Sequence, residues 1–229
     1  MISLLDRSKL DAEGTEMAAQ LAAWNGSYEP GLLAPTLFEV WFDSLYRYTW
    51  DEMYTLREVK KDILLPDSWR LIDLMKNDPG NVFFDRTATP ARETARNVVQ
   101  ESFQAMVTHF RQNPKEKTDW AHAKGFAIRH LALIDAFSRT DVLVGGNRNA
   151  PNAISKTHGP SWRMIVELSN PVRAVGVYPG GQSGNPGSRY YDNMVDTWAA
   201  GAYNELLLLS SPDAMPPARK LTQQTFSAQ

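Results

Sequence analysis

Few residues in this sequence are able to do chemistry, and one stands where its charge needs an explanation. Glu167 lies inside the apolar run WRMIVEL, residues 162–168. An ionised carboxylate in such a run is costly unless paired or hydrogen-bonded, which makes Glu167 a candidate for supporting catalytic work. Period-two alternation along a strand offers a plainer account, with the carboxylate turned to solvent. The other notable acids, Asp43, Asp51, Glu52, Asp192 and Asp196, read as solvated helix faces, although a glycosidase-type carboxylate pair is a spatial arrangement that residue order does not reveal. Four histidines are present: His109, His122, His130 and His158. His122 and His130 are spaced to share a helix face, yet neither belongs to an H-E-x-x-H pattern. Structural or exposed roles are expected for them, and no metal site. The absence of cysteine rules out a thiol nucleophile, a disulfide framework and a thiolate metal site.

The glycine-rich stretch Gly180-Gly181-Gln182-Ser183-Gly184 invites two further chemistries and fails both. A phosphate cradle needs Lys followed by Ser or Thr after its glycines, and neither pair is there. A G-x-S-x-G nucleophile elbow counted from Gly181 ends on Asn185 instead of glycine. A tight turn between a strand and a helix is expected, its glycines supplying positive φ. No acid and histidine stand at recognisable triad positions around Ser161 or Ser183. Asn25-Gly26-Ser27 fits a glycosylation sequon, a weak signal.

The elements that must position these groups read as helices over the first 140 residues. Strong helix formers fill the stretch from Leu10 to Trp24, which stops at the helix-ending pair Asn25-Gly26. A second helix is expected after Ala34-Pro35. Leu37, Trp41, Leu45 and Tyr48 recur at helical spacing, Phe38 and Phe42 widen the apolar face, and the pattern runs on to about Lys61. Pro66-Asp67-Ser68 caps a short helix through Met75, and Asn77-Asp78-Pro79-Gly80 is a turn cluster. Thr89-Pro90, a capping hydroxyl followed by proline, predicts the start of a longer helix. Its stripe is Ala95, Val99, Phe103, Met106 and Phe110, and Asn113-Pro114 ends it. Trp120 to Ala136 predicts a further helix or a broken helical segment.

Near Asp141 the character changes, giving a mainly helical segment 1–140 and a strand–loop–helix segment 141–229. Gly145 to Asn152 is a loop rich in Gly and Asn. WRMIVEL predicts a buried strand, Asn170-Pro171 a turn, and Arg173 to Tyr178 (RAVGVY) the partner strand of a hairpin. Arg189 to Tyr203 predicts a helix with Tyr190, Met194 and Trp198 on one face. Leu206 to Leu209 predicts a last strand, and the residues after Pro212 a loose surface tail. The fold class expected is therefore α+β.

Composition narrows the function classes. The chain has 229 residues, 43% apolar and 22% charged, and a net charge of -2; this suits one large or two small globular domains. No basic stripe marks a nucleic-acid partner. The apolar tetrad Leu206–Leu209 is far too short to span a membrane, and no membrane association is expected. Met1-Ile2-Ser3-Leu4-Leu5 runs straight into charged residues, without a signal-peptide pattern. Seven Trp, eight Tyr and nine Phe supply much large apolar surface. Several lie on helices with a second apolar face, which fits a piece of a larger assembly and equally a well-packed lone domain.

Four segments, in order, resemble the penicillin acylase family of N-terminal-nucleophile hydrolases. LAAWNGSYEPGLLAPTLFEVWF is similar to a helix–loop–helix segment of the family's β-chain. GGNRNAPNA matches its Gly-Gly loop through Gly145, Gly146, Asn152 and Ala153. HGPSWRMIVEL matches the lead-in to a strand through Gly159, Ser161, Trp162 and Arg163. PGGQSGNPGSRYYDN, the most specific, carries Gln182, Ser183, Gly184, Asn185 and Pro186 contiguously.

The resemblance implies that both segments belong to one hydrolase domain, the helices and last strands completing a four-layer αββα core. It implies a precursor that cuts itself into an α-chain and a β-chain, whose new N-terminal serine is the nucleophile and whose free α-amine, titrating near ~8, is the base. Asn152, Ser161, Arg163, Gln182, Ser183 and Asn185 would be motif residues of the scaffold. Glu167 would orient a histidine near the nucleophile. No cofactor or metal is implied, and the substrate would be a β-lactam, an N-acyl homoserine lactone or a related N-acyl compound. The sequence departs from the family at the decisive place: Met1 is a thioether, Ile2 is no better, and Ser3 is internal. Nucleophile, oxyanion hole and substrate pocket are then expected upstream, on the α-chain and N-terminal β-chain portion of the same precursor. The intact enzyme would work in the periplasm or outside the cell, and the isolated chain would be inactive and would self-associate through an apolar face that the missing half normally covers. The rival reading is a non-catalytic binding or scaffold domain that folds alone.

Overall fold

The structure, a computed structural model, describes residues 1–220 and 222–227. The chain forms two compact units, Met1–Ala127 with Arg139–Thr157, and Ile128–Ser138 with His158–Gln229. The fold is α+β, with helices dominating the first unit and a small antiparallel sheet in the second. Residues 139–157 pack with the helices although the sequence changes character near Asp141.

The first unit is built on α2 (Ala34–Thr49) and α5 (Ala95–Gln112). The stripe Ala95, Val99, Phe103, Met106 and Phe110 is fully buried, as its helical spacing requires. It meets Leu37, Trp41 and Leu45 of α2. Trp41 stands edge-on to Phe103 with ring centroids 5.1 Å apart, and its indole N–H donates to Ser102 Oγ at 3.1 Å. α1 (Ala12–Ala23) adds Met17, Ala18 and Leu21 to the same core. Asp11 caps α1 by accepting from the Gly14 N–H at 2.8 Å, and Arg111 of α5 donates to the same carboxylate. α4 (Ser68–Asn77) contributes Leu71, Leu74 and Met75.

Two helix boundaries differ from expectation. The helix expected to run to Lys61 breaks at Trp50, which leaves helical dihedrals and buries its indole 4.9 Å from the Phe83 ring; α3 (Asp51–Val59) follows and buries no residue. Thr89-Pro90 does not start α5. Residues 91–93 are held off helical geometry, because the Glu93 N–H donates to Asp85 Oδ1 and the Glu93 carboxylate accepts from the Arg86 N–H. The helix starts after Thr94 instead, whose N–H donates to Asn97 Oδ1 at 3.1 Å in a capping box. Further on, the expected helix over 120–136 is broken into α6 (Trp120–Lys124) and a 3-10 turn at Asp135–Phe137. Gly125 stops α6 in the left-handed conformation, so His122 and His130 share no helix face.

The second unit holds β1 (Arg163–Glu167), β2 (Arg173–Val177) and β3 (Asn204–Leu206) in the order β1-β2-β3, both pairs antiparallel. The hairpin of β1 and β2 is the one expected, with Ile165 opposite Val175. β1 is not buried, however. It is an edge strand, and only the central β2 turns Ala174, Gly176 and Val177 inward. The last strand pairs through 204–206, so the expected strand at Leu206–Leu209 starts earlier and leaves Leu208 exposed. Of the helix expected over 189–203 only α7 (Val195–Ala199) forms, and it buries Val195 and Trp198. No helix among the described residues is long and apolar enough to cross a membrane.

Phe103→Ala is expected to destabilise the chain by about 3–5 kcal/mol, whereas Gln104→Ala on the exposed side of α5 should stay within about 0.5 kcal/mol. Urea denaturation midpoints followed by tryptophan fluorescence would separate the two.

Candidate functional site

In the first unit, the Gly145-Gly146-Asn147 loop closes over a buried cation. Lys124, the last residue of α6, is sunk beneath the loop, and its ammonium donates to the carbonyls of Val144 at 2.6 Å, Gly145 at 2.8 Å and Gly146 at 3.2 Å. The Trp120 ring lies 5.3 Å from the same Nζ, and the Trp120 indole N–H donates to Gly146 O at 2.7 Å. Burial pushes the Lys124 amine down to about 8, which still leaves it an ammonium at neutral pH. The loop needs both glycines. A Cβ at Gly145 would come within 2.6 Å of Tyr28 O, and one at Gly146, where φ is +80°, would collide with Asn152.

Beside the loop stands a half-buried carboxyl group. Glu39 of α2 accepts from Tyr28 Oη at 2.5 Å and from Asn147 Nδ2 at 3.0 Å. Burial raises the Glu39 carboxyl above the usual carboxylate range, with Tyr28, Arg148 and Asn147 pulling the other way. The Tyr28 phenol is raised by burial and by Glu39, so it stays a donor at all ordinary pH. Glu39, Lys124 and Asn147 line a cleft of about 870 Å³, together with Arg47, Arg148 and Lys156. Such a cleft offers hydrogen-bonding groups of both signs.

Of the residues expected from sequence, Asn152 is half-buried and meets Gly146 in this loop. The others lie in the second unit. Arg163 is half-buried; its guanidinium donates to Trp198 O at 2.8 Å and stacks 4.6 Å above the Trp198 ring, whose N–H donates to Pro160 O. Ser161 is exposed beside this cluster in sequence, and Glu167 is exposed at the end of β1, opposite Arg173 in register. Ser183 and Asn185 order their own loop: Ser183 Oγ accepts from the Asn185 N–H, Asn185 Oδ1 accepts from the Gly187 N–H, and the Ser183 N–H donates to Tyr190 O. Gln182 is exposed. None of the loop's glycines has positive φ, contrary to expectation; Gly181 is required because a Cβ there would strike the backbone of Tyr190 and Tyr191.

The histidines have local roles. His109 bonds Glu116 and His122 bonds its helix-capping neighbour Asp119, while His130 accepts from the Ala132 N–H. Among the described residues no group of three or more His, Asp or Glu side chains is arranged to hold a metal. Sequence reasoning missed Lys124 and Glu39. Neither carries a signal of its own: Lys124 reads as any lysine before a helix-stopping glycine, and Glu39 shares a helix face with Asp43, opposite Leu37, Trp41 and Leu45.

Comparison with known proteins points to one family. A family model described as penicillin amidase matches residues 1–212. The acyl-homoserine lactone acylase QuiP of Pseudomonas syringae pv. tomato is 28% identical over 145 residues, covering 55% of this chain and 17% of that protein. The acylase of the same name from Pseudomonas putida is 26% identical over 219 residues, covering 83% of this chain and 26% of that protein. The chain thus spans about a quarter or less of the length of these relatives. A thermostable penicillin G acylase structure from Alcaligenes faecalis aligns with a TM-score of 0.49 and 13% identity, over 97% of this chain and 44% of that one.

Lys124→Met removes the donor from three inward-facing carbonyls and is expected to cost about 3 kcal/mol, read as a shift of the urea midpoint. Glu39→Gln keeps an acceptor for Tyr28 while removing the buried charge. Because the folded-state pKa of Glu39 lies above its unfolded value, the wild-type carboxyl contributes most below the unfolded pKa and loses that contribution as pH rises through the folded one. The variant should therefore gain thermal stability over wild type at neutral pH, and the gap should close in acid.

Proposed function

The chain belongs to the penicillin amidase family, and we propose that it is the C-terminal part of an amidohydrolase whose nucleophile lies on another segment of the same precursor. The reaction is cleavage of the amide of an N-acyl compound, of the acyl-homoserine lactone or β-lactam type. The single observation that carries this reading is the family match over residues 1–212, which runs through both compact units.

In that reaction a serine hydroxyl at the N-terminus of the mature β-chain attacks the amide carbon, and its own α-amine takes the proton. The tetrahedral oxyanion is held by preorganised donors, the amine leaves with the proton, and water then hydrolyses the ester to release the acid. The residues described here supply scaffold. The Gly145–Asn152 loop, the Ser161–Arg163 lead-in and the Gln182–Asn185 loop fix the ends of helices and strands, and Glu167 orients a histidine contributed by the other segment. Precursor self-cleavage, partnership with the α-chain and N-terminal β-chain portion, and a periplasmic or extracellular site of action belong to the same reading.

The test is expression of the chain alone and together with the coding sequence that precedes it in its genome, followed by acyl release from an N-acyl homoserine lactone and from a phenylacetyl anilide. The chain alone is expected to be inert. The longer polypeptide is expected to cut itself before a serine and to turn over, with Glu167→Gln lowering kcat by about a hundredfold and KM little changed. Turnover by the isolated chain that is lost on Ser161→Ala or Ser183→Ala would overturn the proposal, as would upstream sequence without a self-cleavage junction.

A further inference from the structure

The pair Asn25-Gly26 occurs once in the sequence, and no other asparagine is followed by glycine. It comes just after α1, beyond Trp24, and both residues are exposed. Gly26 sits at φ +84°, a conformation that glycine adopts at no steric cost, and the space where its Cβ would stand is open. The Gly26 N–H donates to no group among the described residues. Asn25 Oδ1 accepts from the Ser27 N–H at 2.9 Å, which folds the side-chain amide back along the Gly26 peptide. A nitrogen able to attack and a carbonyl carbon able to receive it are thus held on adjacent residues. A donor already sits on the oxygen that would become negative. The other asparagines lack this combination. Asn113, Asn170 and Asn185 precede proline, which has no N–H. The N–H groups that follow Asn97, Asn149 and Asn193 are spent on Thr94 O, Asn147 O and Gly180 O.

We propose that Asn25 is a site of spontaneous deamidation, and that its isoaspartyl product loosens the Tyr28 anchor of the Gly145–Asn147 loop. Hydroxide takes the Gly26 amide proton, and the nitrogen bonds to Asn25 Cγ. The tetrahedral carbon expels its amino group, which leaves as ammonia with a proton from water, and a five-membered succinimide remains. Water opens the ring at either carbonyl. Attack at Cγ gives aspartate; attack at the former backbone carbonyl gives isoaspartate, whose main chain runs through Cβ and Cγ. The balance is one water consumed and one ammonia released. Aspartate retains an acceptor for the Ser27 N–H and so retains the turn, whereas isoaspartate adds an atom to the backbone and displaces the carboxylate. That change falls on a closely bonded segment. The Trp24 indole N–H donates to Ser27 O at 2.8 Å, Tyr28 O accepts from the Gly146 N–H at 2.9 Å, and Tyr28 Oη donates to Glu39. Either product also sets a carboxylate just past the last turn of α1, where the helix carbonyls already carry negative charge. This inference does not rest on the amidohydrolase reading, and its failure would leave that reading intact.

Trypsin releases Asn25 in the peptide Leu10–Arg47, which holds no other asparagine. After days of warm, mildly alkaline incubation of the full chain, that peptide is expected to resolve into amide, aspartyl and isoaspartyl forms by mass and chromatography. The aged chain should accept a methyl group from an isoaspartyl methyltransferase. Asn25→Gln should abolish that methylation, and Ser27→Ala, which keeps the backbone donor and removes the glycosylation sequon, should not. The peptide 149–156 carries Asn149 and Asn152, each followed by alanine, and should react about tenfold more slowly or less. An unchanged Leu10–Arg47 peptide, or equal rates in the two peptides, would overturn the site. Hydrogen exchange at the Gly146 amide should be about tenfold faster in the isoaspartyl fraction than in fresh chain, and close to fresh in Asn25→Asp. Equal exchange in the isoaspartyl and fresh chains would overturn the coupling to the loop. Exchange equally fast in Asn25→Asp would overturn the part assigned to the added backbone atom.

Discussion

The first unit depends on how α5 seats itself against α2. Trp41 is the hinge of that contact: a large indole with almost no exposure, placed edge-on to Phe103, with its one polar atom satisfied by Ser102. A buried indole N–H without a partner costs much of what its ring gains, so the serine one position before Phe103 matters as much as the phenylalanine. Once these helices are seated, the positions of Glu39 on α2 and of the segments entering α6 follow, because both belong to the same packed body.

On that body, a loop that ought to be weak is fixed by charge. Val144, Gly145 and Gly146 turn their carbonyls toward one point, an arrangement that repels itself unless a cation or several donors fill the centre. Lys124 fills it. Its long stem crosses the apolar floor beside Trp120, and its ammonium replaces bulk water with three carbonyl oxygens. Asn147 is thereby fixed where its amide can reach Glu39, and one buried cation sets the geometry of a carboxyl on another element. A second anion in reach, or a shorter side chain at position 124, would undo both.

How much of this was legible from sequence depended on whether the cause was local. The α5 stripe was readable because burial on one face imposes its own period, and the β1–β2 hairpin because Asn170-Pro171 separates two β-branched runs. Thr89-Pro90 misled because a local start signal was outweighed by Asp85 and Arg86, which hold Glu93 in an extended segment. The burial of β1 was misread for a different reason: an apolar run reads the same whether its strand is central or at an edge, and β1 has a neighbour on one side only. Lys124 was invisible because its partners are carbonyls some twenty residues away, and every residue type has a carbonyl.

The motifs that carry the family resemblance have a common physical content, and it is steric before it is chemical. Gly145 is required by Tyr28 O, Gly146 by Asn152 and Gly181 by the backbone of Tyr190 and Tyr191. At each point two chain segments approach more closely than a methyl group allows. Polar residues beside these glycines, Asn147, Ser183 and Asn185, bond to groups near their own loops. A nucleophile would instead need an exposed oxygen within reach of a base, and Ser183 spends its oxygen on the Asn185 N–H. Glycine and asparagine recur in these segments because the chain must turn and touch itself there. That requirement would persist in any relative that kept the fold.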